Sequence, residues 1–113
     1  MDSGQEAADA AAQIMSKPVI VEPEAEADLR AAYDWYEDQR EGLGTDFVLC
    51  FEGALAALAE RPRSFPIIAR KTRRALTGRF PYSVLFVELP DTITVIGVFH
   101  TSRCPSRWRH RAR

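Results

Sequence analysis

The chain has 113 residues, of which 46% are hydrophobic, 15 are Lys or Arg and 16 are Asp or Glu. This length and composition are typical of one globular domain that folds without metals or disulfides, and no apolar run approaches the roughly 20 residues that span a bilayer. A membrane protein is therefore excluded. The two cysteines, Cys50 and Cys104, are interpreted as small buried thiols, and the first residues resemble no secretory signal, so we expect a cytoplasmic protein without a cofactor.

The net charge of -1 conceals an acidic half and a basic half. Residues 1–60 carry 14 acidic and 3 basic residues, whereas residues 61–113 carry 12 basic and 2 acidic residues. Clustered cations favour an anionic or acidic partner, because they raise the local potential. In the basic half the arginines lie beside aromatic residues and a histidine, in Arg73-Arg74, in Arg79-Phe80-Pro81-Tyr82 and in the segment His100, Arg103, Pro105 and Trp108.

Residues 1–17 are predicted to form a flexible acidic tail, and residues 18–113 a single domain. The tail is rich in alanine and poor in large apolar side chains, so it cannot offset its own ordering entropy. Met15 stands just before the ordered pattern begins, which makes it a candidate translation start. The mass of the native product would test this hypothesis.

The predicted elements begin with a short strand at Val19-Ile20-Val21. A helix follows from Pro23, with apolar residues at helical spacing until Gly42 ends the pattern. A second helix contains Phe47 and continues to Pro62. Because about three residues connect them, the two helices should return antiparallel as a helical hairpin.

The second half is predicted to be extended. A weak strand covers residues 73–77, and residues 82–89 and 92–101 are predicted to form a β-hairpin around Pro90-Asp91. The order β-α-α-β-β-β predicts an α+β fold in which the helical hairpin packs on one face of an antiparallel sheet. The strand at 82–89 is apolar on both faces, so we expect its second face to be covered too, for example by a partner chain.

A hairpin centred on Pro90-Asp91 places Tyr82 opposite Phe99 and Pro81 opposite His100, with a possible shift of about one residue. Arg79 and Arg103 would then flank His100 at one end of the sheet. Guanidinium groups fit phosphate oxygens, and a histidine or tyrosine beside them can move a proton. The candidate catalytic residues for phosphodiester cleavage are therefore His100, Arg79, Arg103 and Tyr82.

Simpler roles compete at each position. A lone histidine near a strand end is more often structural, and Tyr82 is also explained as half of an aromatic pair. Trp108 is interpreted as a lid that anchors the C-terminal tail, whose arginines are interpreted as solvated. Trp35 lies off the core stripe that contains Tyr33 and Tyr36, so it is a candidate interface residue. No recognised spacing supports a metal site at His100, Cys104 and His110.

An ordered set of motifs over about residues 18–111 resembles the RelE/ParE toxin superfamily of bacterial type II toxin-antitoxin modules. The matching residues are Val21-Glu22-Pro23, Ala25, Asp28-Leu29, Ala32, Trp35-Tyr36-Glu37, Gly42-Leu43-Gly44, Phe47, Pro62, Phe65-Pro66, Arg73-Arg74, Arg79-Phe80-Pro81-Tyr82, His100, Arg103, Pro105 and Trp108. The resemblance implies a cytoplasmic growth inhibitor, of the plasmid stabilisation type, that forms a hetero-oligomer with a cognate antitoxin.

The resemblance leaves the target open. RelE-type members cleave mRNA on the ribosome, whereas ParE-type members act on DNA gyrase. Lys71 is the only lysine of the basic half, and Trp108 stands where many RelE members have a catalytic tyrosine, so this chain looks closer to the ParE branch. We therefore expect a gyrase inhibitor whose target-binding or partner-binding residues are Arg73, Arg74, Trp35 and Trp108. The alternatives are a metal-independent endoribonuclease and a domain that has lost toxicity and only binds its antitoxin.

Overall fold

The computed structural model describes residues 17–102 and 105–113, so the predictions for residues 1–16 and for a start at Met15 lie outside the described residues. Two helices and five strands form the fold. They are β1 (Val19–Val21), α1 (Pro23–Gln39), α2 (Leu43–Glu60), β2 (Ile67–Ala69), β3 (Thr72–Thr77), β4 (Phe80–Glu88) and β5 (Ile93–His100), with 3-10 turns at Pro62–Ser64, Pro105–Arg107 and Arg109–Arg111. Within the described ranges, no helix is both long and apolar enough for a membrane span.

The five strands form one sheet in the order β1-β5-β4-β3-β2. Its strands pair antiparallel except for β1, which pairs parallel with β5 from Val19 opposite Ile93 to Val21 opposite Val95. The predicted α+β fold with a helical hairpin on one face is confirmed, but the prediction of a wholly antiparallel sheet is wrong at β1. The short strand β2 (Ile-Ile-Ala) was not predicted; unlike β1, it is not a run of β-branched residues bounded on both sides by proline.

The helical hairpin is fixed at its loop by a side chain from α1. Glu37 accepts hydrogen bonds from the backbone N–H groups of Gly42 and Gly44, each at 2.9 Å, so its carboxylate caps the beginning of α2. Gly42 has a φ of 87°, which favours glycine. A Cβ at Gly44 would lie 2.7 Å from the backbone oxygen of Tyr33, so only glycine allows the two helices to approach this closely.

The main core lies between the helical hairpin and the inner face of the sheet. Phe47 and Leu58 of α2 are fully buried there, as are Val84, Phe86 and Val95 of the central strands. Aromatic rings extend the core toward one end of the sheet, where Tyr36, Phe47, Phe80 and Tyr82 contact one another edge to face or tilted. The predicted core stripe of α1 is confirmed for Tyr36, which is 8% exposed.

The outer face of the sheet carries a second apolar cluster of Leu85, Val87 and Ile96. Residues 105–113, here called the C-terminal segment, cover it, and Trp108 packs against the cluster as the predicted lid. The end of this segment is held at the start of β3, where the N–H of Lys71 donates to the carbonyl oxygen of Arg113 at 2.6 Å. The expected cover of the outer face is therefore present, and the C-terminal segment of the same chain supplies it rather than a partner chain.

A β-bulge changes the register of the β4–β5 hairpin. Glu88 pairs with Ile93 and Phe86 with Val95, but the register then shifts by one residue at Ile96, so that Tyr82 lies opposite His100. The predicted partners of Tyr82 and His100, Phe99 and Pro81, are therefore wrong by one position. A bulge inserts one residue into one strand only, and hairpin length alone does not reveal it.

Candidate functional site

A cavity of about 1010 Å³ opens between α1, the last residues of β5 and the C-terminal segment. Its volume lies at the upper end of the roughly 300–1,000 Å³ usual for ligand pockets. Apolar and aromatic side chains line it together with a few polar and charged ones. The lining residues are Asp28, Ala31, Ala32, Trp35 and Tyr36 from α1, Pro81 and Tyr82 from β4, Val98, Phe99 and His100 from β5, and Ser102, Ser106, Arg107, His110 and Arg111.

One wall of the cavity is an aromatic row of Trp35, Tyr36, Tyr82 and His100. Neighbouring ring centroids lie 5.1 Å apart for Trp35 and Tyr36, 6.0 Å for Tyr36 and Tyr82, and 5.2 Å for Tyr82 and His100, each pair edge to face. Edge-to-face contacts of this length are favourable, because the positive ring edge meets the negative ring face. The row therefore presents Trp35, Tyr82 and His100 to an occupant, with the buried Tyr36 packed between Trp35 and Tyr82.

Trp35 forms the exposed end of this row. It is 57% exposed, whereas the adjacent Tyr36 is 8% exposed, because successive helix residues point about 100° apart. Trp35 thus lies off the core stripe, as its position in the sequence predicts. A large exposed indole beside a cavity is suited to contact with a partner.

Tyr36 contributes a phenol that stays protonated. Burial, reinforced by the neighbouring Tyr82, raises the pKa of Tyr36 above its usual value near 10. A neutral phenol at physiological pH can donate or accept a hydrogen bond, but it is a poor general base. In this cavity Tyr36 is therefore better suited to shaping and binding than to proton abstraction.

His100 is oriented by the turn that follows β5. Its Nδ1 accepts a hydrogen bond from the backbone N–H of Ser102 at 3.0 Å, and the Ser102 hydroxyl lies 2.7 Å from the same nitrogen. Since the amide is always a donor, the neutral ring carries its proton on Nε2. His100 therefore offers a hydrogen-bond donor at Nε2.

After Val95, where the pairing of β1 ends, the next backbone groups of β5 are bonded by an ion pair between two segments distant in sequence. The carboxylate of Asp28 in α1 accepts a hydrogen bond from the N–H of Val98 at 3.1 Å. Arg111 of the C-terminal segment donates to Asp28 and also lies 3.3 Å from the carbonyl oxygen of Ile96. Its guanidinium covers the ring of Phe99 at 4.8 Å from the centroid. The pair thus supplies side-chain hydrogen bonds where a longer β1 would supply backbone ones.

Among the described residues, no strand pairs with the edge of β5 at His100, beside the cavity. The N–H of Thr101 donates to the carbonyl oxygen of Pro81 at 2.8 Å, so in the alternating antiparallel pattern His100 directs its own N–H and C=O away from β4. β1 reaches only as far as Val95. An extended peptide could therefore pair with His100 beside the aromatic row.

The predicted cluster around His100 is only partly assembled. Tyr82 and His100 lie side by side, but Arg79 pairs with Asp46 of α2 at 3.1 Å and does not line the cavity. Arg79 is thus held at the beginning of α2, where an acidic residue in the first turn attracts it. Arg103 lies outside the described residues.

The other predicted binding residues are distributed over two faces. Arg73 is turned to the inner side, where it donates to the carbonyl oxygen of Phe65 at 2.6 Å, while Arg74 is exposed on the outer side. Trp108 lies on the outer cluster, so Trp35 is the one of these four that lines the cavity. In the described part of the chain, no group of three potential metal ligands comes together.

Two residues with a central place in the structure, Asp28 and Arg111, were not identified as functional candidates. The C-terminal arginines were interpreted as solvated, yet Arg111 is largely buried and Arg113 pairs with Glu22. Arg107 and Arg109 are exposed, as expected. The sequence did not distinguish Arg111 from the other arginines of the tail. Its partner, Asp28, lies in a helix with several other acidic residues, and local sequence does not show which of them forms the pair.

The family to which the chain belongs follows from a comparison with protein-family models. Residues 19–105 match the model described as the ParE toxin of the type II toxin-antitoxin system parDE. The chain belongs to the ParE toxin family. The matched region includes the aromatic row and Asp28, but it ends before Arg111. Membership confirms the predicted superfamily and the ParE branch, and it makes the chain a toxin of the type II toxin-antitoxin class.

The fold of this ParE-family toxin also matches a solved structure, described as the chromosomal ParDE toxin-antitoxin system from P. aeruginosa. The TM-score is 0.70 at 18% sequence identity, and the match covers 78% of this chain and 99% of that chain. At this identity the likeness shows the shared fold. No curated protein sequence gives a significant match.

Proposed function

We propose that the chain is a growth inhibitor that binds DNA gyrase and is neutralised by a cognate antitoxin bound to it in the cytoplasm. The observation that carries this proposal is the aromatic row beside the open edge of β5, within the region that matches the ParE family model. Exposed aromatic rings and unpaired strand groups are features of protein-binding surfaces. The cavity accordingly serves recognition of a protein partner.

The arrangement of polar groups favours binding over RNA cleavage. Cleavage requires a general base, a general acid and cations that converge on one phosphate. In the described residues, Arg79 pairs with Asp46 away from the cavity, the Nδ1 of His100 already accepts a hydrogen bond, and Tyr36 holds its proton more tightly than usual. These side chains shape a site more readily than they transfer protons.

The antitoxin is proposed to occupy the cavity through an extended or helical segment. Such a segment can pair with the edge of β5 at His100 while it packs an apolar side chain against Trp35. Occupation of this site would block access of gyrase to the same aromatic residues. Toxin and antitoxin would then form a hetero-oligomer in which the toxin is inactive.

A supercoiling assay with purified gyrase and relaxed plasmid tests the target. We expect inhibition at toxin concentrations close to that of gyrase, and reversal of inhibition when an equimolar amount of antitoxin is added first. Toxin with Trp35→Ala should inhibit poorly, while toxin with the equally exposed Leu49→Ala on α2 serves as the matched control. Unchanged supercoiling at tenfold excess of folded toxin would rule out gyrase as the target.

The contact of Tyr82 with His100 favours one second candidate, a ribosome-dependent endoribonuclease. Induction of the toxin without its antitoxin, followed by transcript mapping, separates the possibilities. New cuts in translated mRNA that disappear in His100→Ala would establish the nuclease. Growth arrest with intact transcripts would support gyrase as the target. Unchanged growth would indicate a domain that only binds its antitoxin.

A further inference from the structure

Most of the acidic charge of the first half lies on the helical side of the sheet. On the inner side, α1 contains six acidic residues and one arginine, and α2 contains three acidic residues and no basic one. The C-terminal segment, whose Trp108 packs on the outer side, contains four arginines, and the turn between β2 and β3 contains Arg70 and Lys71. The helical side is therefore strongly acidic, and arginines that reach it, such as Arg79 and Arg111, form ion pairs there.

Four cations form what we call the outer basic face: Arg70, Lys71, Arg74 and Arg109. Each of them is exposed. Arg74 pairs across the sheet with Leu85, whose side chain belongs to the outer cluster under Trp108. Lys71 lies at the turn that holds the end of the C-terminal segment.

Arg109 and Arg70 complete this face. The Arg109 guanidinium lies 6.0 Å from the centroid of the Trp108 ring, and that ring packs on the outer cluster. Arg70 occupies the β2–β3 turn with a φ of 52°, a left-handed conformation that is uncommon for a residue other than glycine. The four cations thus come from two separate segments, which the hydrogen bond from Lys71 to Arg113 joins.

The charges of the outer basic face are not neutralised within the described residues. None of its four side chains forms an ion pair there, in contrast to Arg63, Arg79, Arg111 and Arg113. The two acidic residues of the second half lie elsewhere, since Glu88 is held by Lys17 and Arg63, and Asp91 lies in the β4–β5 loop. Uncompensated cations on one face attract a polyanion strongly.

The composition of this face favours a duplex over a peptide. The apolar cluster beneath it is covered by Trp108, so among the described residues of β3 and β4 on this side Leu76 is the exposed large apolar side chain that a peptide could contact. Exposed guanidinium and ammonium groups are the usual contacts to the regularly spaced phosphates of double-stranded DNA. Exposed cations from two segments match contacts to phosphates, which carry no base specificity.

We propose that the outer basic face binds the phosphate backbone of double-stranded DNA, independently of base sequence. This interaction is separate from the aromatic row and does not depend on gyrase being the target. Trp35, which lies on α1 at the helical side, would make no contact with this DNA. The chain would then contact DNA and a protein through different surfaces.

Fluorescence anisotropy with a labelled 20-base-pair duplex of random sequence tests the proposal on the purified full chain. If all four cations contact phosphates, the logarithm of the binding constant should fall with the logarithm of the salt concentration with a slope of about -3.6, or about 150-fold from 50 to 200 mM salt. Toxin with Lys71→Ala, Arg74→Ala and Arg109→Ala combined should bind at least tenfold more weakly at 50 mM salt, and its slope should fall to about -0.9.

The matched control combines Arg30→Ala, Arg40→Ala and Arg61→Ala, which removes three exposed arginines from the helical side and changes the net charge equally. We expect it to bind DNA within about twofold of the unaltered chain, whereas Arg74→Lys alone should retain most of the binding. Equal losses in both triple variants would overturn the proposal. So would displacement of the DNA by polyglutamate at equal charge concentration, or no binding of the folded chain at 50 mM salt.

Discussion

Asp28 and Arg111 are 83 residues apart in the chain and form a two-point ion pair, with Nη2 of Arg111 3.2 Å from Oδ1 of Asp28. The pair joins α1, the exposed edge of β5 and the C-terminal segment. Both side chains are 18% exposed, so water screens them little. One side-chain contact therefore holds together three elements that border the cavity.

Arg111→Ala should lower the free energy of unfolding by about 2 kcal/mol, because it leaves the Asp28 carboxylate partly buried with fewer partners. Urea denaturation followed by circular dichroism measures the change. Arg109→Ala, at an exposed position two residues away, is the control and should change stability by less than about 0.5 kcal/mol. Equal effects of the two substitutions would contradict the role assigned to the ion pair.

Gly44→Ala should destabilise the helical hairpin by about 2 kcal/mol or more, since the added Cβ would lie 2.7 Å from the Tyr33 carbonyl oxygen and 2.9 Å from Glu37. Gly53→Ala in the same helix is the matched control, because a Cβ there meets no atom within 4 Å. Alanine is the better helix former, so the control should gain up to about 1 kcal/mol. Thermal unfolding of both variants checks that the signs are opposite.

The fold class followed from the sequence because periodicity changes from helical to extended after the second helix. The arrangement of the candidate site was predicted less completely from the sequence. Tyr82 and His100 were expected near one another, but their direct opposition depends on the bulge at Ile96, for which the adjacent Gly97 is the one signal in the strand. Long-range ion pairs such as that of Asp28 with Arg111 depend on the final packing, so local sequence patterns do not reveal them.

Glu88 should make stability depend on pH. Hydrogen bonds from Lys17 and, more weakly, Arg63 lower the pKa of Glu88 below its usual value of 4.5, although its burial opposes this shift. Because the folded pKa is the lower one, the stabilisation is complete above the unfolded pKa and is lost as the pH falls through the folded pKa.

Glu88→Gln removes this contribution, so the stability difference between the unaltered chain and the variant should be largest near neutral pH and shrink below about pH 4.5. Urea denaturation at several pH values between 3 and 7 measures it. Asp91→Asn, at an exposed loop position, serves as the control. A difference between Glu88→Gln and the unaltered chain that is constant over this range would contradict the assigned contacts.

Trp35→Ala should weaken antitoxin binding by roughly 30-fold, which corresponds to about 2 kcal/mol for an aromatic hot spot. Trp35 is 57% exposed, so its removal should leave stability nearly unchanged. Leu49→Ala, at a position 59% exposed on α2, controls for the loss of an exposed apolar side chain. Isothermal titration calorimetry with the cognate antitoxin provides the affinities, and equal affinity of all three proteins would place the antitoxin elsewhere.

The contacts of Glu37 with Gly42 and Gly44 bear on the order in which the chain folds. They close a loop over five and seven residues, whereas β1 must find β5 across the length of the domain, with Val19 beside Ile93. Short loops cost little closure entropy and form early. We therefore expect α1 and α2 to associate in the folding nucleus and the parallel pairing of β1 to come last, so that Glu37→Ala slows refolding while changes in β1 mainly speed unfolding.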